Sequence, residues 1–357
     1  MSTKPTLPTL RDVADLAGVS PTTASMALSG RTGSAHISPA SILKVQNAAK
    51  SLGYRGNYHA RTLSSGRSYT IGLGAGGGQI SILEHDFFNH ICGGVEAAAR
   101  ACGYDVLLIG GTDALEPLER AQSHLEARRI DALIVLRHLY TGIPVELVAC
   151  HLPVVVVQDQ IHDEPLLPAV LFDPMPGIQA AVQHLAQLGH RRLHWLGIDG
   201  VESRRLVAFN QAVQEAGLES TQQLLPHCFK PVSVHSFTAQ CHEMLSDQAL
   251  PAGCTAVLCY NDELAMALLA VLSARGVAVP AMMSVIGFDD RFAAYSVPAL
   301  TTISHELSEL GTASVSLALD LLENRLERSP APRVSIPARL VVRSTTAAPP
   351  SLAGPLR

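Results

Sequence analysis

The chain has 357 residues, enough at roughly 100 to 200 residues per domain for two or three globular units. With 47% hydrophobic and 16% charged residues it can bury large cores, which excludes a disordered polymer and a disulfide-stapled miniprotein. The net charge of −5 hides an asymmetry: residues 1–68 carry eight basic and two acidic side chains, a net +6, and the remainder carries −11, so one end suits a polyanion and the other does not.

Thr9-Leu10-Arg11-Asp12 has capping-box spacing, and Leu10, Val13, Ala14 and Ala17 recur at helical spacing up to Gly18, predicting a first helix. Ser20 caps a second helix that opens on Pro21, where the missing N–H costs little, and runs through Thr22, Thr23, Ala24, Ser25, Met26 and Leu28 to Ser29-Gly30. Ser38-Pro39 repeats the signal for a third, with Ile42, Val45, Ala49 and Leu52 on one face before Gly53. Three short helices with a tight first turn make a helix-turn-helix unit, whose second helix would enter a DNA major groove. Any three-helix mini-domain would show the same apolar pattern. The hydroxyls of Thr22, Thr23 and Ser25, in a segment carrying the positive charge, favour base edges and phosphates as partners.

Leu10 to Ser20, with Ser25 and Ala48-Ala49-Lys50-Ser51-Leu52-Gly53-Tyr54, closely resembles the headpiece of the lactose/galactose repressor (LacI/GalR) family of bacterial transcription regulators. Asn57-Tyr58-His59-Ala60-Arg61-Thr62-Leu63 resembles that family's hinge helix. The resemblance implies DNA contacts from Thr9, Ser20, Pro21, Thr22, Thr23, Ser25 and Met26, and from Asn57, His59, Ala60 and Leu63 in the hinge. Leu63 would be the wedge inserted into the minor groove at the operator centre, although an ordinary linker leucine would read the same way. Met26 stands where many members carry a base-reading Arg, and the loop from Arg31 to His36 is longer than usual.

Beyond Ser68 strands and helices alternate. Strands are predicted at 69–73, 105–109, 130–136, 145–150 and 154–157, with helices at 88–102 and 116–128. The series restarts near Ala169, with helices at 177–188, 203–216 and 263–275 and strands at 192–196, 255–259 and 284–287. Two similar open parallel α/β halves follow, with a ligand expected between them at the carboxyl ends of the strands.

Gly72-Leu73-Gly74-Ala75-Gly76-Gly77 matches a dinucleotide-binding glycine pattern, but no helix opens at its last glycine and no acidic residue lies about 20 positions on at the end of the next strand. A loop at the cleft edge is the expected form. No nucleophile elbow, His-Glu-x-x-His pair or phosphate loop is present, so no enzyme, cofactor or metal is expected. Seven scattered cysteines without a Cys-x-x-Cys pair read as small buried side chains. With no apolar run near ~20 residues and no secretory signal at Met1 to Leu10, a cytoplasmic protein without membrane contact is expected.

The family resemblance extends through Gly189-His190-Arg191-Arg192-Leu193, Tyr260-Asn261-Asp262-Glu263-Leu264-Ala265, Met283 to Asp290, Pro298 to Ile303 and Leu340 to Thr345. It implies a core similar to periplasmic sugar-binding proteins, and effector contacts from Arg205, Asn261 and Asp289. Asp173, Phe229, His305 and Phe88 fall near the family's cleft. An arginine fork and a carboxylate can grip hydroxyls from two sides. Asp262 reads as the cap of the helix opening at Glu263.

The expected fold is therefore an all-α helix-turn-helix headpiece (1–56), a hinge (57–68), an α/β two-lobed core (69–346) and a tail (347–357). Lobe one would take about 69–168 plus 299–325, and lobe two about 169–298 plus 326–346. The expected function is a repressor, homodimeric on a pseudo-palindromic operator, controlled by a small sugar, nucleoside or similar polyol. A solute-binding protein and a nucleotide-linked oxidoreductase are the alternatives.

Overall fold

The structure, a computed structural model, describes residues 8–29, 37–55, 62, 65–75, 86–110, 116–136, 151–158, 167–199, 204–226, 234–246, 253–327 and 329–350. It divides between Ser68 and Tyr69 into two compact units.

In the first unit, helix α1 (Leu10–Ala17) starts where the Thr9 hydroxyl accepts the Asp12 N–H at 3.3 Å and Asp12 accepts the Thr9 N–H at 2.7 Å, and ends where Gly18 turns left-handed at φ 66°. Helix α2 (Pro21–Ser29) is capped by Ser20 Oγ, which accepts the Thr23 N–H at 3.1 Å. Helix α3 (Pro39–Leu52) is capped by Ser38 and closed by left-handed Gly53. Val13, Ala14, Ala24, Ala27, Val45, Ala48 and Ala49 form the buried core. Ala48 occupies the place expected of Leu52, which is 36% exposed.

The second unit holds two six-stranded sheets. The first is ordered β11-β5-β4-β3-β1-β2, from β1 (Thr70–Ala75), β2 (Asp105–Ile109), β3 (Ala132–Leu136), β4 (Val154–Gln158), β5 (Ala169–Asp173) and β11 (Arg333–Pro337), all parallel. The second is ordered β12-β10-β9-β8-β6-β7, from β6 (Arg192–Ile198), β7 (Glu219–Leu225), β8 (Ala256–Cys259), β9 (Ser284–Phe288), β10 (Thr301–Ser304) and β12 (Arg339–Val341), parallel except at β10–β12. The helices are α4 (Asp86–Ala101), α5 (Glu116–Glu126), α6 (Met175–Leu188), α7 (Arg204–Glu215), α8 (Val234–Ser246), α9 (Asp262–Ala274) and α10 (Leu307–Leu322). One apolar cluster draws on both sheets and includes Val155, Val170, Trp195, Phe209, Ile286 and Ile303.

Three expectations are corrected here. Residues 169–173, expected in lobe two, form β5 of the first sheet, where each strand of the run 154–173 finds its parallel partner in the previous one. Residues 299–304, expected in lobe one, lead into β10 of the second sheet, and β11, expected in lobe two, pairs with β5. Strand β1 continues to Ala75, so Gly74 lies in the strand rather than in a loop, and a Cβ on Gly72 would come within 2.5 Å of Ile130 Cδ1, so packing accounts for that glycine. The predicted strand at 145–150 lies outside the described residues.

Candidate functional site: a buried arginine–carboxylate centre and an exposed helix

Parallel sheets present their ligand-facing residues where strands end, and the ends of β5, β8, β9 and β10 converge around one guanidinium. Arg205, in the first turn of α7 and 3% exposed, reaches Asp289 just past β9, with Nη2 3.1 Å from Oδ1. Its Nη1 donates to the Tyr260 carbonyl at 2.6 Å, just past β8. Three rings wall the guanidinium: Phe288 at 4.0 Å, Tyr260 at 4.8 Å and Phe172, from the end of β5, at 5.4 Å. Fully buried His305, past β10, stacks on Phe172 at 4.6 Å and sets Nε2 3.7 Å from Asp289 Oδ1. The two halves meet here, since Phe172 belongs to the first sheet and Arg204 of α7 donates to its carbonyl at 3.3 Å.

A buried guanidinium paired with one carboxylate is close to electrically neutral, and aromatic faces stabilise the cation from the sides. Such a centre suits a neutral polar molecule, to which the arginine offers donors and the carboxylate acceptors.

Sequence reasoning brought Arg205, Asp289 and His305 to the same place, and the structure puts them in contact. It missed Phe172, Tyr260 and Phe288, although each ends or directly follows a parallel strand, a position that could have flagged them. Asn261 is the cap of α9: its Oδ1 accepts the Leu264 N–H at 2.9 Å and its Nδ2 donates to Glu263 at 2.7 Å. The cap expected of Asp262 therefore belongs to Asn261. Asp262 is instead buried against β9 and β10, where burial and the Asp289 charge push its carboxyl up to about 7. Asp173 accepts the Met175 N–H at 3.0 Å at the start of α6, and Phe88 is 4% exposed within the apolar cluster. Phe229 lies outside the described residues.

In the first unit, Thr9, Ser20, Pro21, Thr22 and Ser25 are exposed and Thr23 and Met26 half-buried, while Ala24 and Ala27 face inward. The Thr23 hydroxyl lies 2.8 Å from Ser20 Oγ, so it also serves the helix cap. Asn57, His59, Ala60 and Leu63 lie outside the described residues.

Residues 9–57 match the model of bacterial regulatory proteins of the lacI family, and residues 182–346 that of the periplasmic binding protein-like domain. The HTH-type transcriptional regulator DegA of Bacillus subtilis is 30% identical over 350 residues, 95% of this chain and 98% of the relative. The chain belongs to the LacI family. The HTH-type transcriptional regulator GalR of Escherichia coli is 31% identical over 353 residues, covering 96% of this chain and 97% of the relative. Among solved structures, a Lac repressor dimer bound to operator and the anti-inducer ONPF matches with a TM-score of 0.75 at 27% identity, over 96% of this chain and all of that one. The complex of the regulator CelR with cellobiose matches at 0.63 and 26% identity, over 95% and 99%. As a LacI-family member the chain is a DNA-binding transcriptional regulator, and its relatives are regulators rather than enzymes. Among the described residues no helix is long and apolar enough to cross a membrane.

Proposed function

We propose that this LacI-family protein is a repressor whose operator affinity is set by a small, neutral, polyhydroxylated effector of the sugar or nucleoside class, held between Arg205 and Asp289. The observation that carries the reading is the charge-balanced pair at 3.1 Å among Phe172, Tyr260 and Phe288. A charged effector would leave one member of that pair unmatched in a buried site. The cellobiose in CelR and the operator in the Lac repressor complex support the two halves of the reading. A thermal-shift screen with ribose, galactose, cellobiose and nucleosides, followed by calorimetry of Arg205→Ala with whichever binds, tests it. Binding should be lost in that variant, and unchanged affinity would remove Arg205 from the site.

The protein would act as a homodimer on a pseudo-palindromic operator, because helix-turn-helix units read two-fold sites in pairs. Tyr295 and Val297 are 85% and 94% exposed, apolar side chains of the kind two-fold partners cover, and a hollow of about 510 Å³ is lined by His242, Met266, Ala270 and Phe292. Sedimentation at micromolar concentration should give a dimer, and Tyr295→Lys a monomer. At the hinge, Asn57, His59 and Ala60 would meet the operator and Leu63 would enter a base step. Leu63→Ala should therefore lower operator affinity and bend angle together.

A further inference from the structure

The segment that delivers Asp289 is held in a conformation its own residues disfavour. Asp289 and Asp290 have φ of 106° and 56°, in a region that side chains other than glycine rarely adopt. Two such residues in succession persist only where the surroundings over-determine them, and they concentrate at ligand sites.

Four contacts hold this turn. The Asp289 N–H donates to the Ile303 carbonyl at 2.8 Å, which fixes its start. Arg343 pairs with Asp290 at 2.7 Å, and Arg291 with Glu263 at 2.6 Å. The fourth fixes the main chain directly after the two left-handed residues: the Arg291 N–H donates to Asp262 Oδ2 at 2.9 Å. The other oxygen, Oδ1, takes the Thr302 hydroxyl at 2.5 Å, which ties the carboxylate to β10. Because Asn261 caps α9, neither oxygen of Asp262 is needed at the helix start. Strand β9 makes room for the carboxylate, since a Cβ on Gly287 would overlap Oδ1.

We infer that Asp262 is the positioning residue of the site: its buried carboxylate holds the left-handed turn through Arg291 and Thr302, and so sets where Asp289 meets Arg205. The inference rests on Asp289 as an effector contact, and it assigns to Asp262 no contact with effector. The charged groups around the carboxylate are Asp289, Asp290 and Arg291 past β9, Glu263 on α9, Arg205 on α7, Arg343 past β12 and, through Asp289, His305 past β10. Burial first, and then the neighbouring Asp289 and Asp290 carboxylates, push the Asp262 carboxyl up to about 7.

The test is amide exchange in the full-length protein, read on peptides covering Phe288–Phe292. Asp262→Leu, close in size, removes both acceptors. Asp262→Asn keeps a carbonyl oxygen for the Arg291 N–H and can donate to Thr302. Leu should speed exchange at the turn by about tenfold or more, the loss of one charge-assisted main-chain hydrogen bond, and Asn should stay within about threefold of wild type. Peptides from the middle of α9 should be unchanged in both. Wild-type exchange in the Leu variant, equal acceleration by Asn, or acceleration spread through α9 would each overturn the assignment. Should the Leu variant fail to fold, Thr302→Val is the milder probe, expected to speed exchange about threefold at the same peptides, and no change there overturns it too. Titration of ribose, galactose, cellobiose and nucleosides into wild type, Asp262→Leu and Asp289→Asn separates the two claims. Binding that weakens in both variants supports both, and binding that weakens in Asp289→Asn but not in Asp262→Leu overturns the positioning role. If neither these sugars nor nucleosides bind, or Asp289→Asn binds as wild type, the effector reading fails and the exchange result still decides the role of Asp262.

Discussion

Among the described residues, the headpiece buries small valine and alanine side chains and leaves Thr22 and Ser25 in solvent, whereas the core unit buries Arg205, Asp289 and His305 within aromatic walls. In the headpiece, the candidate DNA contacts Thr22 and Ser25 and the buried core lie on different faces of the same helix. In the core unit the candidate effector contacts are themselves buried. A substitution at Thr22 or Ser25, which take no part in a helix cap, should therefore alter binding alone, and one at the core centre should alter binding and folding together.

The sharpest way to break this contrast is Arg205→Ala. It leaves Asp289 buried without its cation, and removal of one partner from a buried pair costs about 3–5 kcal/mol. Denaturant unfolding of the core unit should move by that much, with the headpiece transition in place. A shift under ~1 kcal/mol would mean that water or other donors already satisfy Asp289.

The pH dependence of the two units should run in opposite directions. Asp262 in the folded core titrates near 7 against an ordinary value of 3.8, so between those values the folded state holds more protons than the unfolded chain. Core stability should consequently fall as pH rises through that window and level off above it. Asp12 is the reverse case: hydrogen bonds from the Thr9 main chain and hydroxyl hold its carboxyl below the ordinary value, so its contribution to the headpiece is present at neutral pH and lost as pH drops through that lowered value. Thermal melts of wild type and Asp262→Asn from pH 4.5 to 8 should show the variant gaining on wild type as pH rises. Parallel curves would contradict this.

Much of the headpiece was legible in the sequence because its determinants are local. Thr9 and Asp12, Ser20 and Pro21, and Ser38 and Pro39 each specify a helix start within four residues, and the structure uses each as read. The core was legible as alternation but not as sheet membership. The run 169–173 is apolar throughout and pairs with β4 on one side and with β11, far along the chain, on the other, so which sheet it joins depends on partners that local pattern does not name. The strand at 219–225 was missed because Glu219-Ser220-Thr221-Gln222-Gln223 is polar, as an exposed edge strand can be. At the site, the choice between Asn261 and Asp262 as helix cap turned on main-chain angles: Asn261 is extended at φ −150°, ψ 173°, a geometry its neighbour lacks once it enters the helix.

Smaller effects sharpen the headpiece side. Thr9→Ala should remove the capping box and cost about 1 kcal/mol of headpiece stability, visible in its melting and absent from the core. Smallest in stability are Thr22→Ala and Ser25→Ala, expected within ~0.5 kcal/mol of wild type because both side chains are exposed. Fluorescence anisotropy should nonetheless record a severalfold loss of operator affinity in each. Unchanged affinity in both would move DNA recognition away from the exposed face of α2.

One ligand, bound at the buried centre, should control DNA binding at the exposed helix. Operator selected from random DNA, titrated by anisotropy with and without the sugar or nucleoside found by thermal shift, measures that coupling directly. Wild type should show a change in operator affinity of about 5- to 150-fold on ligand addition, and Arg205→Lys, which keeps the charge but loses the fork, little or none. Equal operator affinity with and without a ligand that demonstrably binds wild type would contradict the account.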